Sequence, residues 1–188
     1  MDVRPPDDEG DGPSDEEPGP SPASVVVLHP AWQTVTGALS SVHGAVNAAI
    51  CFVPALAHGE VSVALSSDAA MRELNARFRG FDKPTNVLSF PVAPGQAMTS
   101  AGPSGDIVIA YETLMREAAG EGKDPLHHLA HLTVHGLLHL AGYDHGDDDE
   151  AERMEALERR ILADLGIHDP YRSTVEEDQP PELAESRL

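Results

Sequence analysis

Apolar positions along the chain switch between a two-residue and a four-residue rhythm, and the switches predict the elements. Ser24-Val25-Val26-Val27-Leu28 is short and β-branched, which predicts a strand. Over 32–52, Val35, Leu39, Val42, Val46 and Ile50 recur at helical spacing, with Gly37 and Gly44 weakening the pattern. Residues 60–65 (EVSVAL) alternate as a strand with one apolar face. Ser67-Asp68 ahead of Met71, Leu74 and Phe78 reads as a capped helix that ends near Arg79-Gly80. Residues 86–91 (NVLSFP) form a strand stopped by proline, 95–105 a loop of small residues, and 106–110 (DIVIA) a fourth strand. Helices follow at about 112–120, 125–141 and 147–164. The order β-α-β-α-β-β-α-α-α predicts an α/β (α+β) fold, a small mixed sheet of about four strands with about five helices packed on it.

Composition sets the limits of that fold. The chain has 188 residues, which suits one domain with tails. Residues 1–23 and 173–188 are acidic, rich in Pro and Ser and almost free of apolar side chains. Both are expected to be disordered tails, because they cannot bury enough surface to offset the entropy of ordering. The single domain is then 24–172. Against 12 Lys+Arg stand 32 Asp+Glu, a net charge of -20, and discounting the tails leaves the domain at -9. That balance argues against a protein that coats nucleic acid non-specifically, which needs bases to neutralise phosphates. One cysteine, Cys51, excludes an intrachain disulfide and a cysteine-rich zinc module, and is expected to be a small buried apolar residue. No apolar run approaches the ~18 residues that span a bilayer. The start of the chain is acidic, unlike a secretory or organellar signal, so a cytoplasmic protein without a membrane partner is expected.

The chemistry concentrates in the helix at 125–141. His131, His135 and His139 fall four apart on one stripe. Eight residues at a rise of ~1.5 Å separate the outer two by about 12 Å, and two zinc–nitrogen bonds of ~2.1 Å cannot bridge that. Only a neighbouring pair can share an ion. Gly142 stands where the helix would end in a left-handed cap, after which the chain can fold back and bring His145 to the last turn. The ligand set is therefore His135, His139 and His145, with a fourth position open, the arrangement of a catalytic zinc site. His131 is expected to be a wall residue, although a supporting contact to the site stays open. His29, His43, His58, His127, His128 and His168 are expected on the surface. Asp144 is expected to cap a turn, and the acids at 147–150 to favour a helix start without binding metal.

The spacing matches that of the metzincin peptidases, except that their general-base glutamate would fall at 136, where this chain has Gly136. Peptide hydrolysis is therefore disfavoured, whereas a metal site that also stabilises phosphate charge needs no such carboxylate. The most basic window of the domain is Arg72, Arg77, Arg79 and Lys83, at a helix end and the turn that follows. Arginines mounted there suit phosphate; Arg77 and Lys83 equally suit solvated charges at the negative end of a helix.

Three stretches, NARFRGFDKPTNVLSFP, SGDIVIA and HLTVHGLLHLAGYDHGDDDEAERMEALERRIL, followed by LGIHDPY, closely resemble the YbeY endoribonucleases, also called ribosomal RNA maturation factors. The resemblance implies a zinc-dependent enzyme, with one Zn2+, that cuts single-stranded RNA. It implies action in maturing the 3′ end of 16S ribosomal RNA and in ribosome quality control. The implied partners are ribosomal RNA, the small ribosomal subunit and its assembly factors, with no DNA. It places the metal on His135, His139 and His145, and catalysis on Arg79 and His135. Arg72, Arg77 and Lys83 are expected to contact RNA, converging with Arg79 on one groove near the metal. Phe81 stands where the family is often polar. The rival expectation is a non-catalytic ribosome-assembly factor whose metal is structural; a metalloprotease ranks below both.

Overall fold

Alternation along the two central strands decides which helices cover which face of the sheet. In the computed structural model, which describes residues 23–92 and 102–171, four strands form one mixed sheet. They are β1 (Ala23–Val27), β2 (Val61–Ser66), β3 (Val87–Pro91) and β4 (Gly105–Ala110), in the order β1-β2-β4-β3. β1 and β4 run parallel to β2, while β3 pairs antiparallel to β4. The described residues also form five α-helices: α1 (Ala38–Phe52), α2 (Asp68–Arg79), α3 (Tyr111–Glu121), α4 (Pro125–Leu140) and α5 (Asp148–Asp164). The sheet has the mixed pairing and the α+β character that the order of elements predicts. The acidic tails, Ala23 apart, and residues 95–101 of the expected loop lie outside the described residues.

On β2 and β4, Val61, Val63, Leu65, Ile107 and Ile109 point to one side and join the buried residues of α1, α4 and α5 in the larger core. Val108 and Ala110 point to the other side, with Leu88 of β3, and pack on Met71 of α2. Each strand thus reads with period two on a sheet covered on both faces. α4 is the most deeply embedded helix: Leu129, Val134, Leu137 and Leu138 have no exposed surface. Its close approach to the sheet explains Gly136. A Cβ there would lie 2.8 Å from Ile107 Cγ2 and 3.1 Å from Ser89 Oγ, so glycine lets the helix backbone rest on β4 and β3. Any larger residue at 136, glutamate included, would have to displace Ile107.

Two expectations about α1 need correction. The helix expected over 32–52 is broken: residues Pro30–Thr34 form a short 3₁₀ turn, and α1 starts only after Gly37, whose φ of +90° is a left-handed conformation. The cause is Trp32, which is buried and donates its indole N–H to the Ser66 carbonyl at 2.9 Å, holding the turn against β2. Cys51 is exposed, because it falls on the solvent side of the last turn of α1.

Candidate metal centre

α4 begins at Asp124, whose carboxylate caps the amides of Leu126 (2.7 Å) and His127 (3.2 Å). It ends where Gly142 adopts φ +88° and Tyr143 N–H reaches back to the Leu138 carbonyl at 3.0 Å, a Schellman closure. The reversal carries His145 back over the last turn. Asp144 Oδ1 then accepts the His145 amide at 2.8 Å, which makes it a turn cap as expected. Asp147 caps the next helix through the Glu150 amide at 2.8 Å.

His135, His139 and His145 meet as the spacing predicts. One ligand nitrogen from each lies within 4.8 Å of the others. The ring centroids are 4.6 Å apart for 135–139, 5.0 Å for 139–145 and 5.7 Å for 135–145. His131 stays outside this group, its ring centroid 6.4 Å from that of His135.

Hydrogen-bond accounting fixes the tautomers. His139 Nδ1 lies 3.0 Å from the Tyr143 carbonyl, which can only accept, so Nδ1 carries the proton. His135 Nδ1 lies 2.7 Å from Glu158 Oε1. Glu158 has no exposed surface; burial pushes its pKa up, but His131, His135 and the Tyr171 hydroxyl more than offset this and hold it at about 2. It is therefore a carboxylate, and His135 Nδ1 is the donor. With Nδ1 engaged on both rings, Nε2 is the atom each has left to bind with, and the two Nε2 atoms face each other at 3.0 Å. A proton shared between them satisfies both in the metal-free protein, and with a nitrogen of His145 within 4.8 Å the same atoms form a three-nitrogen donor set that fits a metal ion. Burial, followed by the nearby His135 and His145, lowers the His139 pKa and favours the neutral, ligating ring.

Glu158 is the residue that the spacing of histidines does not reveal. A signal existed: it falls between Met154 and Ile161 on the apolar face of α5, where a carboxylate has no reason to be buried unless it holds something. Tyr171 donates its hydroxyl to Glu158 Oε2, and its own pKa is raised by burial and by that carboxylate. His131 Nε2 lies 3.6 Å from the same oxygen, so it belongs to the supporting layer behind His135. His128 also departs from expectation: it is buried, paired to Glu117 at 2.9 Å, and burial lowers its pKa.

In front of the histidines lies a cleft of about 210 Å³, lined by Arg79, Thr85, Asn86, Val87 and Ser89 with the three rings. Of the four bases expected to converge near the metal, Arg79 alone reaches this cleft. Lys83 lines an adjoining cavity that shares Arg79. Arg72 is committed elsewhere, forked onto Asp82 at 2.6 and 2.8 Å, and Arg77 lies over the Phe78 ring at 5.2 Å. Neither lines the cleft or the cavity, so the four bases do not share one groove.

Known proteins resemble this chain over most of its length. Residues 33–166 match a family model described as endoribonuclease YbeY. A protein named endoribonuclease YbeY from Rhodopseudomonas palustris (strain BisA53) is 52% identical over 164 residues, covering 85% of this chain and 95% of the relative. Another of that name from Nitrobacter hamburgensis is 51% identical over 152 residues, covering 78% and 80%. A solution structure from Thermotoga maritima matches with a TM-score of 0.51 at 22% identity, covering 80% of this chain and 99% of that one, a likeness of fold.

Proposed function

The chain belongs to the endoribonuclease YbeY family, and on that premise we propose that it is a zinc-dependent endoribonuclease specific for single-stranded RNA. Its place is in maturing the 3′ end of 16S ribosomal RNA and in ribosome quality control, in the cytoplasm, beside the small ribosomal subunit and its assembly factors. The catalytic unit is residues 24–172. The observation that carries this is the convergence of His135, His139 and His145, the first two with Nε2 atoms 3.0 Å apart, on a cleft that Arg79 also lines.

His135, His139 and His145 would hold the ion. When bound, Zn2+ would supply Lewis-acid polarisation of a phosphate oxygen and a source of nucleophile near neutral pH. The remaining work falls to the chain itself. Glu158 holds the proton of His135 on Nδ1, and the Tyr143 carbonyl does the same for His139, so both rings keep their ligating face toward the cleft. Arg79 is exposed and forms no ion pair among the described residues, so its guanidinium is available to clasp the scissile phosphate and the charge that grows on its oxygens. Ser89 is anchored to the Gly136 carbonyl and gives the cleft a polar wall.

The test is a paired assay on single-stranded RNA with wild type, His135→Ala and Arg79→Ala, each checked for folding by circular dichroism. The enzyme reading expects two folded variants that have lost cleavage, only His135→Ala having also lost metal. A folded wild type, loaded with zinc, that cuts no RNA would leave a non-catalytic assembly factor.

A further inference from the structure

A second cavity, of about 400 Å³, adjoins the metal cleft and shares Arg79, Thr85 and Val87 with it. That volume falls within the ~300–1,000 Å³ of ligand clefts. Its outer wall is the turn between α2 and β3, which carries Phe81 and Lys83; its far side carries Arg116 and Glu117 of α3.

The turn is held in place from several directions. The buried Asn75 donates its side-chain amide to the Lys83 carbonyl at 2.7 Å, and Phe81 N–H reaches the Asn75 carbonyl at 3.3 Å. The Arg72 fork fixes Asp82 and cancels its charge. On this braced turn the Phe81 side chain is 59% exposed and makes no ring contact among the described residues. A single exposed aromatic is ordinary. What distinguishes Phe81 is its position on a hydrogen-bonded turn at the rim of a cavity beside cations.

The charges of that cavity are arranged for an anion. Arg79 and Lys83 form no ion pair among the described residues. Arg116 leans on Asp68 at 3.5 Å and on the Thr113 hydroxyl, with most of its side chain in solvent. The one lining acid, Glu117, turns its carboxylate to Asn86 (3.0 Å) and His128 (2.9 Å). In a chain of net charge -20, Arg79 and Lys83 without ion-pair partners among the described residues, with Arg116 opposite, are a local exception.

We propose that this cavity is a nucleotide subsite next to the scissile phosphate, in which Phe81 stacks a base of single-stranded RNA while Lys83 and Arg116 contact its backbone phosphates. The inference rests on the endoribonuclease reading and adds a location for the strand. Stacking on an aromatic face and cations along the backbone are the recurrent means of holding single strands. A rigid duplex, with its bases stacked inside, cannot offer a base to Phe81, so the subsite also favours unpaired substrate.

The experiment uses zinc-loaded wild type, Phe81→Ala, Phe81→Leu, Phe81→Trp, Lys83→Ala and Arg116→Gln, with a short single-stranded RNA carrying 2-aminopurine at successive positions. Phe81→Ala should raise KM by about 5- to 150-fold, the loss of one stacked base, with kcat changed far less and zinc content unchanged. Phe81→Leu should resemble Phe81→Ala, Phe81→Trp should restore KM, and 2-aminopurine quenching at one position should vanish in the alanine variant. Lys83→Ala and Arg116→Gln should each flatten the log–log salt dependence of binding by about 0.7. If wild type cleaves but Phe81→Ala and Phe81→Leu keep its KM and quenching pattern, the subsite is refuted and the enzyme reading survives. If wild type neither binds nor cleaves RNA, both fall.

Discussion

Glu158 does at the residue level what the three histidines cannot do for themselves. A histidine ligand must keep one nitrogen bare and its ring aimed, and a buried carboxylate on Nδ1 accomplishes both. Glu158→Gln, close in size and neutral, should weaken zinc affinity about 10- to 100-fold, measured by competition with a chromophoric chelator; unchanged affinity would show that His135 needs no such support. The same group sets a pH limit on the metal-free protein. Its folded pKa of about 2 lies below its ordinary value of 4.5, so folding releases protons from it in that interval. Its contribution to stability is complete above pH 4.5 and is lost as pH falls through 2. Denaturant titrations from pH 6 downward should show a steeper acid decline for the wild type than for Glu158→Gln. Gly136→Ala tests the packing argument. Alanine gains about 1 kcal/mol in helix propensity, but its Cβ would press on the stiff, fully buried Ile107, and overpacking costs about 1–3 kcal/mol. We expect a net loss of stability, with zinc binding retained once the protein is folded; a rise in Tm would mean that β4 yields easily.

At the scale of elements, α2 and α3 cap each other. Asp68, in the first turn of α2, accepts from the Thr113 amide (3.0 Å) and hydroxyl (2.7 Å), while Glu112 of α3 accepts the Asp68 amide at 2.7 Å. α3 has no cap from its own preceding residue, Ala110, so the cap arrives from a helix that is distant in sequence. Asp68→Ala removes that cap and the attraction for Arg116 together. It should cost about 2 kcal/mol in chemical denaturation, against about 1 kcal/mol for Asp124→Ala, a helix capped by its own neighbour. Equal losses would count against the reciprocal arrangement. Sequence pattern located α2 to the residue, because Ser67 and Gly80 are local stop signals. It missed the break before α1, because what ends the 3₁₀ turn is Trp32 reaching Ser66, a contact across 34 residues that no window can contain.

For the molecule as a whole, the metal should act as a ligand of the folded state alone. Chelation is therefore expected to lower Tm, and added zinc to restore it in a concentration-dependent way that His145→Ala abolishes; a Tm indifferent to chelator would mean that the histidines hold no ion. The succession of strands and helices along the chain, the meeting of His135, His139 and His145 and the glycine at 136 where a peptidase has its base were all legible in the chain, because each depends on residues within a turn or two of one another. The exposure of Cys51, the burial of His128, the withdrawal of Arg72 onto Asp82 and the carboxylate behind His135 were not. Those depend on which faces the sheet brings together, and side chains far apart in sequence acquire partners only when α5 docks on α4 and the α2–β3 turn closes on its own helix. Short-range spacing can specify a ligand set, whereas the surroundings that tune it are a property of packing.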